Sequence, residues 1–220
     1  MTPLKRRVAI LISGRGSNMV ALIRAAAAAD FPADIAVVIA NRADAQGLQK
    51  AQALAVPTAV IESKPFGKDR AAFEQALQAA LDQHGVDLIC LGGFMRLLTP
   101  EFVQRWYGRM LNIHPSLLPS FPGLDPHGQA LRAGVKISGA TVHFVIPQTD
   151  AGPILMQGAV AVSDHDTSET LAERILEVEH RIYPDALRLL ASGQVRLEGD
   201  LCRTTVSAGA GNFLISPVMG

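Results

Sequence analysis

The sequence predicts an α/β protein: a Rossmann-like N-terminal half with parallel strands, continuing into a mixed central sheet flanked by helices. Two observations carry this reading. Short, unbroken apolar runs rich in β-branched residues alternate with helical stretches, and such strands need both faces covered, as in doubly wound sheets. Beyond residue 100 the runs follow one another more closely, which allows antiparallel neighbours.

Taken in order, residues 8–12 (VAILI) read as a buried strand and the Ala-rich stretch 17–29 as a helix. Strand 35–40 (IAVVIA), helix 46–54 and strand 58–61 follow. Residues 69–84 make a longer helix with Phe73, Leu77 and Leu81 at four-residue spacing, and 87–91 the next strand. The second half begins with a short helix at 100–106 and strand 110–114, then a helical turn at 129–133 and strands 140–145 and 154–162. Thr167 or Ser168 caps a long helix striped by Leu171, Ile175, Val178 and Ile182, ending near Pro184 or running kinked to Leu190. Residues 195–197 form a last strand. A single domain over 1–198 is expected, its part up to residue 100 binding phosphate. The tail 199–220, rich in Gly, Ser and Ala, is expected to be poorly ordered.

Composition narrows the function. The 220 residues are 49% hydrophobic and 18% charged, enough for one large core. Twenty basic residues balance twenty acidic ones, so no net field favours nucleic acid or a membrane surface, and no apolar run approaches the length of a spanning helix. Cys90 and Cys202 make neither a metal spacing nor a disulfide framework, which suits a reducing cytoplasm.

Three motifs bear chemistry. Ser13-Gly14-Arg15-Gly16-Ser17-Asn18 joins the first strand to the first helix, where glycines and helix-start amides can cradle a phosphate. The same glycines could simply make a tight turn with Ser17 as helix cap. A dinucleotide fingerprint needs glycine where Met19 stands and an acid where Asn41 stands, which argues against NAD. In Met110–Pro122 (MLNIHPSLLPSFP), Asn112 and His114 share one face of a strand end before a loop stiffened by prolines. An amide donor beside an imidazole suits a carbonyl oxygen that gains charge while a proton moves, although a satisfied core histidine would look the same. Asp150 lies in the turn TDAGP, where a local turn role is the ordinary one. Glu179 lies on the shoulder of the long helix's stripe, where a solvated glutamate is the default.

The chain also resembles a known family. SGRGSN at 13–18, GGFMRLL at 92–98, LNIHPSLLPSFPG at 111–123, SGATVHF at 138–144 and TDAGPI at 149–154 are similar, in order, to phosphoribosylglycinamide formyltransferases. The resemblance implies the formyltransferase fold and transfer of a formyl group from 10-formyltetrahydrofolate, a cosubstrate, to the amine of glycinamide ribonucleotide in purine synthesis. It implies catalytic roles for Asn112, His114 and Asp150. It also implies ribonucleotide contacts from Gly16, Ser17, Asn18 and Glu179. Arg70 and the segment Met95, Arg96, Leu97 and Leu98, with Asn112, would hold the folate. No metal and no NAD enter this picture, and the partners are small molecules rather than nucleic acid or membrane. Asp125 departs from the family pattern, which often has histidine there, while His127 is kept.

Related readings are a methionyl-tRNA formyltransferase or a formyltetrahydrofolate hydrolase, whose extra domains would not fit in 220 residues. A non-catalytic module binding a phosphorylated metabolite would explain the glycine loop but leave Asn112, His114 and Asp150 without a joint role.

Overall fold

The structure is a computed structural model describing residues 5–206 and 215–216. The chain divides into two compact units, Met1–Leu111 and Asn112–Gly220. The sequence predicts a single domain over 1–198; the division falls inside a strand, between Leu111 and Asn112, where no linker composition marks it.

The first unit alternates strands and helices: β1 (Arg6–Ile12), α1 (Ser17–Ala26), β2 (Ala33–Ala40), α2 (Gln46–Ala53), β3 (Thr58–Val60), α3 (Arg70–Gln83), β4 (Leu88–Leu91) and α4 (Pro100–Arg105). Its strands lie in the order β4-β1-β2-β3 and every pair is parallel. This is the Rossmann-like arrangement that the continuous apolar runs predict. Val8 through Ile12 are wholly buried, because helices on a parallel sheet cover both faces of a central strand.

Polar side chains tie the strand ends together. Ser13 Oγ donates to Asn41 Oδ1 at 2.6 Å and accepts the Met95 N–H at 2.8 Å, and Asn41 Nδ2 reaches Ser63 Oγ at 3.2 Å. Asn41 stands where a dinucleotide fold places its ribose-binding acid, and here that side chain is committed to the strand ends. Buried Glu74 of α3 accepts both the Thr99 N–H at 2.6 Å and the Thr99 hydroxyl at 2.5 Å, which fixes the start of α4.

The second unit holds the end of β5 (Met110–His114), α5 (Pro126–Arg132), β6 (Ile137–Phe144), β7 (Ile154–Ala161), α6 (Ser168–Ala191), β8 (Val195–Glu198), β9 (Leu201–Thr204) and β10 (Ile215–Ser216). The order is β5-β6-β7-β10, with β7 antiparallel to both β6 and β10. The closely spaced strands thus bring the antiparallel pairing expected of them. Helix α5 starts at Pro126 rather than Gln129, because proline fits the first helical position and Asp125 caps it. Thr167 caps α6. That helix continues through Pro184 to Ala191, held by the buried Ile182, Tyr183, Ala186 and Leu187. Packing of this kind offsets the interior proline's cost of about 3 kcal/mol.

The tail corrects one expectation. Leu201–Thr204 is no loose chain but pairs antiparallel with Val195–Glu198 as a two-stranded sheet. Glu198-Gly199-Asp200 is a hairpin turn, with Gly199 at φ 59°, rather than the end of the ordered fold. The remainder of the expected disordered tail, 207–214 and 217–220, lies outside the described residues.

Candidate active site

In the first unit, the segment from Gly14 to Asn18 closes β1 onto α1. Gly16 is the residue before the helix, at φ 66°, and no side chain caps the helix start. Ser17 is the first helical residue and not the cap. The start of this ten-residue helix carries positive potential from the helix dipole, which favours an anion there. Glycine suits this left-handed position, where a Cβ would sit tightly, 3.1 Å from the Gly47 Cα and 3.2 Å from the Met19 Cε. Lys50 Nζ donates to the Arg15 carbonyl at 2.9 Å and bolts the loop down, while the Arg15 side chain faces solvent.

Residues 93–98, which follow β4, expose the apolar side chains of Met95 and Leu97, 71% and 65% accessible. Leu98 is half-buried beside them. Arg96 also makes contacts within the chain. Its guanidinium lies 4.7 Å over the Phe73 ring and donates to the Gly67 carbonyl at 3.2 Å, so it props the segment from behind. Arg70 is the exposed first residue of α3, whose N-cap is Asp69. Its guanidinium is open to an anionic ligand.

The second unit brings Asn112, His114 and Asp150 together. His114, 6% exposed, meets an acceptor at each ring nitrogen: the Phe121 carbonyl lies 2.9 Å from Nε2, and Asp150 Oδ2 lies 3.4 Å from Nδ1. Asp150 does make the turn expected of it, with φ 51°, but its carboxylate points inward and also accepts the Gly123 N–H at 2.9 Å. The proline loop thus hands a carbonyl to the histidine and an amide to the aspartate. Asn112 enters through a fourth side chain: its Nδ2 lies 3.2 Å from Nε2 of His143 on β6, and that nitrogen is 3.8 Å from Asp150 Oδ1. His143 is 2% exposed, and burial holds its imidazole below the ordinary value, opposed by the Phe144 carbonyl and Asp150.

Sequence reasoning assigns His143 no role. The available signal was a histidine inside the otherwise apolar strand ATVHFV. Glu179 corrects its default reading: it is buried, 6% exposed, because the shoulder of the α6 stripe lies under packed chain beside Val178 and Ile182. Among the described residues no group of three or more His, Cys, Asp or Glu could hold a metal ion, and no helix is long and apolar enough to cross a membrane.

An α/β chain with a glycine loop at its first helix and a joined Asn, His and Asp cluster is a candidate enzyme, and comparison with known proteins identifies the class as formyl transferases. The chain belongs to the formyl transferase family, which matches residues 6–187. Within it, the chain is 41% identical to a phosphoribosylglycinamide formyltransferase of Bacillus subtilis, over 84% of this chain and 94% of that protein. The solved glycinamide ribonucleotide transformylase 1 of Symbiobacterium toebii superposes with a TM-score of 0.88 at 46% identity, covering 91% of this chain and 94% of that one. A trifunctional purine biosynthetic protein of Bos taurus is 51% identical over 92% of this chain, which spans only 20% of that relative's length.

Proposed function

We propose that the protein transfers the formyl group of 10-formyltetrahydrofolate to the amine of glycinamide ribonucleotide, giving the N-formyl ribonucleotide and tetrahydrofolate, in the cytoplasm as a step of purine synthesis. The similarity to enzymes of that name supports the reaction. The observation that carries it is the cluster of His114, Asp150, His143 and Asn112, joined by contacts of 3.2 to 3.8 Å.

The chemistry follows from where charge develops. The amine attacks the formyl carbon, the carbonyl oxygen gains negative charge, and the proton released by the amine nitrogen ends on the folate nitrogen as its bond to carbon breaks. Asn112 Nδ2 donates to the developing oxyanion. His114 stabilises the same charge and relays the proton through Nε2, which must exchange its contact with the Phe121 carbonyl for the substrate, while Asp150 aligns the imidazole from Nδ1 across 3.4 Å. The helix start after Gly16, with Ser17 and Asn18, takes the phosphate, favoured by the helix dipole, and Glu179 contacts the ribonucleotide. Arg70 pairs with a carboxylate of the folate, while Met95, Leu97 and Leu98 cover its pterin. Arg96 holds that segment in shape.

Absorbance of the folate donor, followed with and without glycinamide ribonucleotide, tests the proposal. Turnover that requires the amine supports it. Turnover without the amine favours a formyltetrahydrofolate hydrolase, and binding of both ligands without turnover favours a phosphometabolite-binding module.

A further inference from the structure

Both hydrogen bonds of the His143 imidazole have a direction that its partners dictate. Nδ1 lies 3.0 Å from the Phe144 carbonyl oxygen, which can only accept, so Nδ1 carries the proton. The lone pair left on Nε2 can only accept, so its partner 3.2 Å away must be the NH2 of Asn112 and not the carboxamide oxygen. The Phe144 carbonyl is itself fixed by backbone: the Phe144 N–H donates to the Pro153 carbonyl at 2.9 Å, next to a register shift between Val142 and His143. A Cβ at Gly152 would overlap the Phe144 carbonyl oxygen, so glycine lets the turn that carries Asp150 pass directly against it.

We infer that His143 is a positioning residue for Asn112: its Nδ1-protonated tautomer sets which way the Asn112 carboxamide faces, presenting the second N–H of Nδ2 to the reacting carbonyl oxygen. The inference rests on the oxyanion role proposed for Asn112. A carboxamide flips at little intrinsic cost, and a flipped Asn112 would set its oxygen against the Nε2 lone pair and offer the oxyanion an acceptor in place of a donor. The ring is surrounded by few other ionisable groups. Asp150 Oδ1 stands 3.8 Å from Nε2, and His114, which meets the other oxygen of the same carboxylate, also acts on it electrostatically. With Nε2 unprotonated, neither competes for Asn112, and Asp150 remains available to His114.

The test combines spectroscopy with a mutant cycle. Nitrogen NMR of the wild-type protein without substrates is expected to show the His143 ring protonated at Nδ1; protonation at Nε2 would overturn the inference. Replacing His143→Leu removes the acceptor and should lower the single-turnover rate by about 10²-fold, as misplacement of a reacting group does, with the KM of both substrates little changed. His143→Gln, whose side-chain oxygen reaches about as far as Nε2, should recover most of that loss. In an Asn112→Ala background His143→Leu should cost little more, because the group it positions is gone; a full additional loss, or a wild-type rate for His143→Leu alone, would refute the role. Wild-type protein without formyl transfer would overturn the proposed reaction instead, while the tautomer would still test the positioning.

Discussion

Asp150 uses one oxygen for two partners: Oδ2 stands 3.4 Å from His114 Nδ1 and accepts the Gly123 N–H at 2.9 Å. The carboxylate therefore aligns the imidazole and anchors the proline loop at the same point. Replacing Asp150→Asn keeps an acceptor for Gly123 and removes the charge, so turnover should fall on the order of 10²-fold or more with little change in stability. Asp150→Ala also frees the loop and should cost about 1 kcal/mol more on unfolding. Single-turnover rates and denaturant midpoints of the two variants separate these effects; equal activity in Asp150→Asn and wild type would remove Asp150 from the reaction.

The phosphate loop offers a contrast between two glycines. Gly16 has φ 66° and close neighbours at the position of a Cβ, whereas Gly14 has open space there. Gly16→Ala should cost about 1 to 2 kcal/mol for the left-handed backbone and weaken ribonucleotide binding, because the helix-start amides shift. Gly14→Ala should leave both nearly unchanged. Isothermal titration with glycinamide ribonucleotide and thermal melts would decide it, and equal behaviour of the two variants would argue against a ligand at this helix start.

Which of these features could be read from sequence follows from the range of the interaction concerned. Strands such as Val8–Ile12 and the stripe Leu171, Ile175, Val178, Ile182 are periodic signals, and both run through the core as expected. Asn112 and His114 announce themselves because two polar groups at a strand end before prolines are locally unusual. His143 does not, since its meaning lies in a bond to Asn112, 31 residues away. For Arg96 the resemblance implies a place in the folate segment, but no local pattern encodes its stacking on Phe73, 23 residues away. Gly16 rather than Ser17 precedes α1 because the loop turns through a left-handed residue, and a Gly-Ser pair alone allows either assignment.

Acid should weaken the fold through His143. Burial lowers its value from 6.5, so the native protein binds this proton less readily than the unfolded chain. Its contribution is complete above about pH 6.5 and is lost as pH falls toward the depressed native value, because the unfolded state protonates first. His127, also lowered by burial, acts with the same sign. Urea midpoints of wild type and His143→Gln at about pH 7.5 and pH 5.5 isolate the His143 share. The wild type should lose more on acidification, and equal losses would show that its imidazole is not held neutral in the native state.

The contacts of Asp125, where the family resemblance leads one to expect histidine, belong to the helix that follows. At φ 55° Asp125 precedes α5, accepts the Gly128 N–H at 3.2 Å and pairs with Arg132 at 3.0 Å, with more than half of its side chain exposed. Removing the cap in Asp125→Ala should cost roughly 1 kcal/mol, and the exposed ion pair adds a few tenths at most. Asp125→Asn keeps a capping oxygen and tolerates the left-handed backbone, so its cost should stay below about 0.5 kcal/mol. None of these contacts involves Asn112, His114, Asp150 or His143, so turnover in both variants should remain within about threefold of wild type. If instead Asp125→Asn folds normally and slows the reaction on the order of 10²-fold, the Asp125 carboxylate acts on the chemistry and its capping role is secondary.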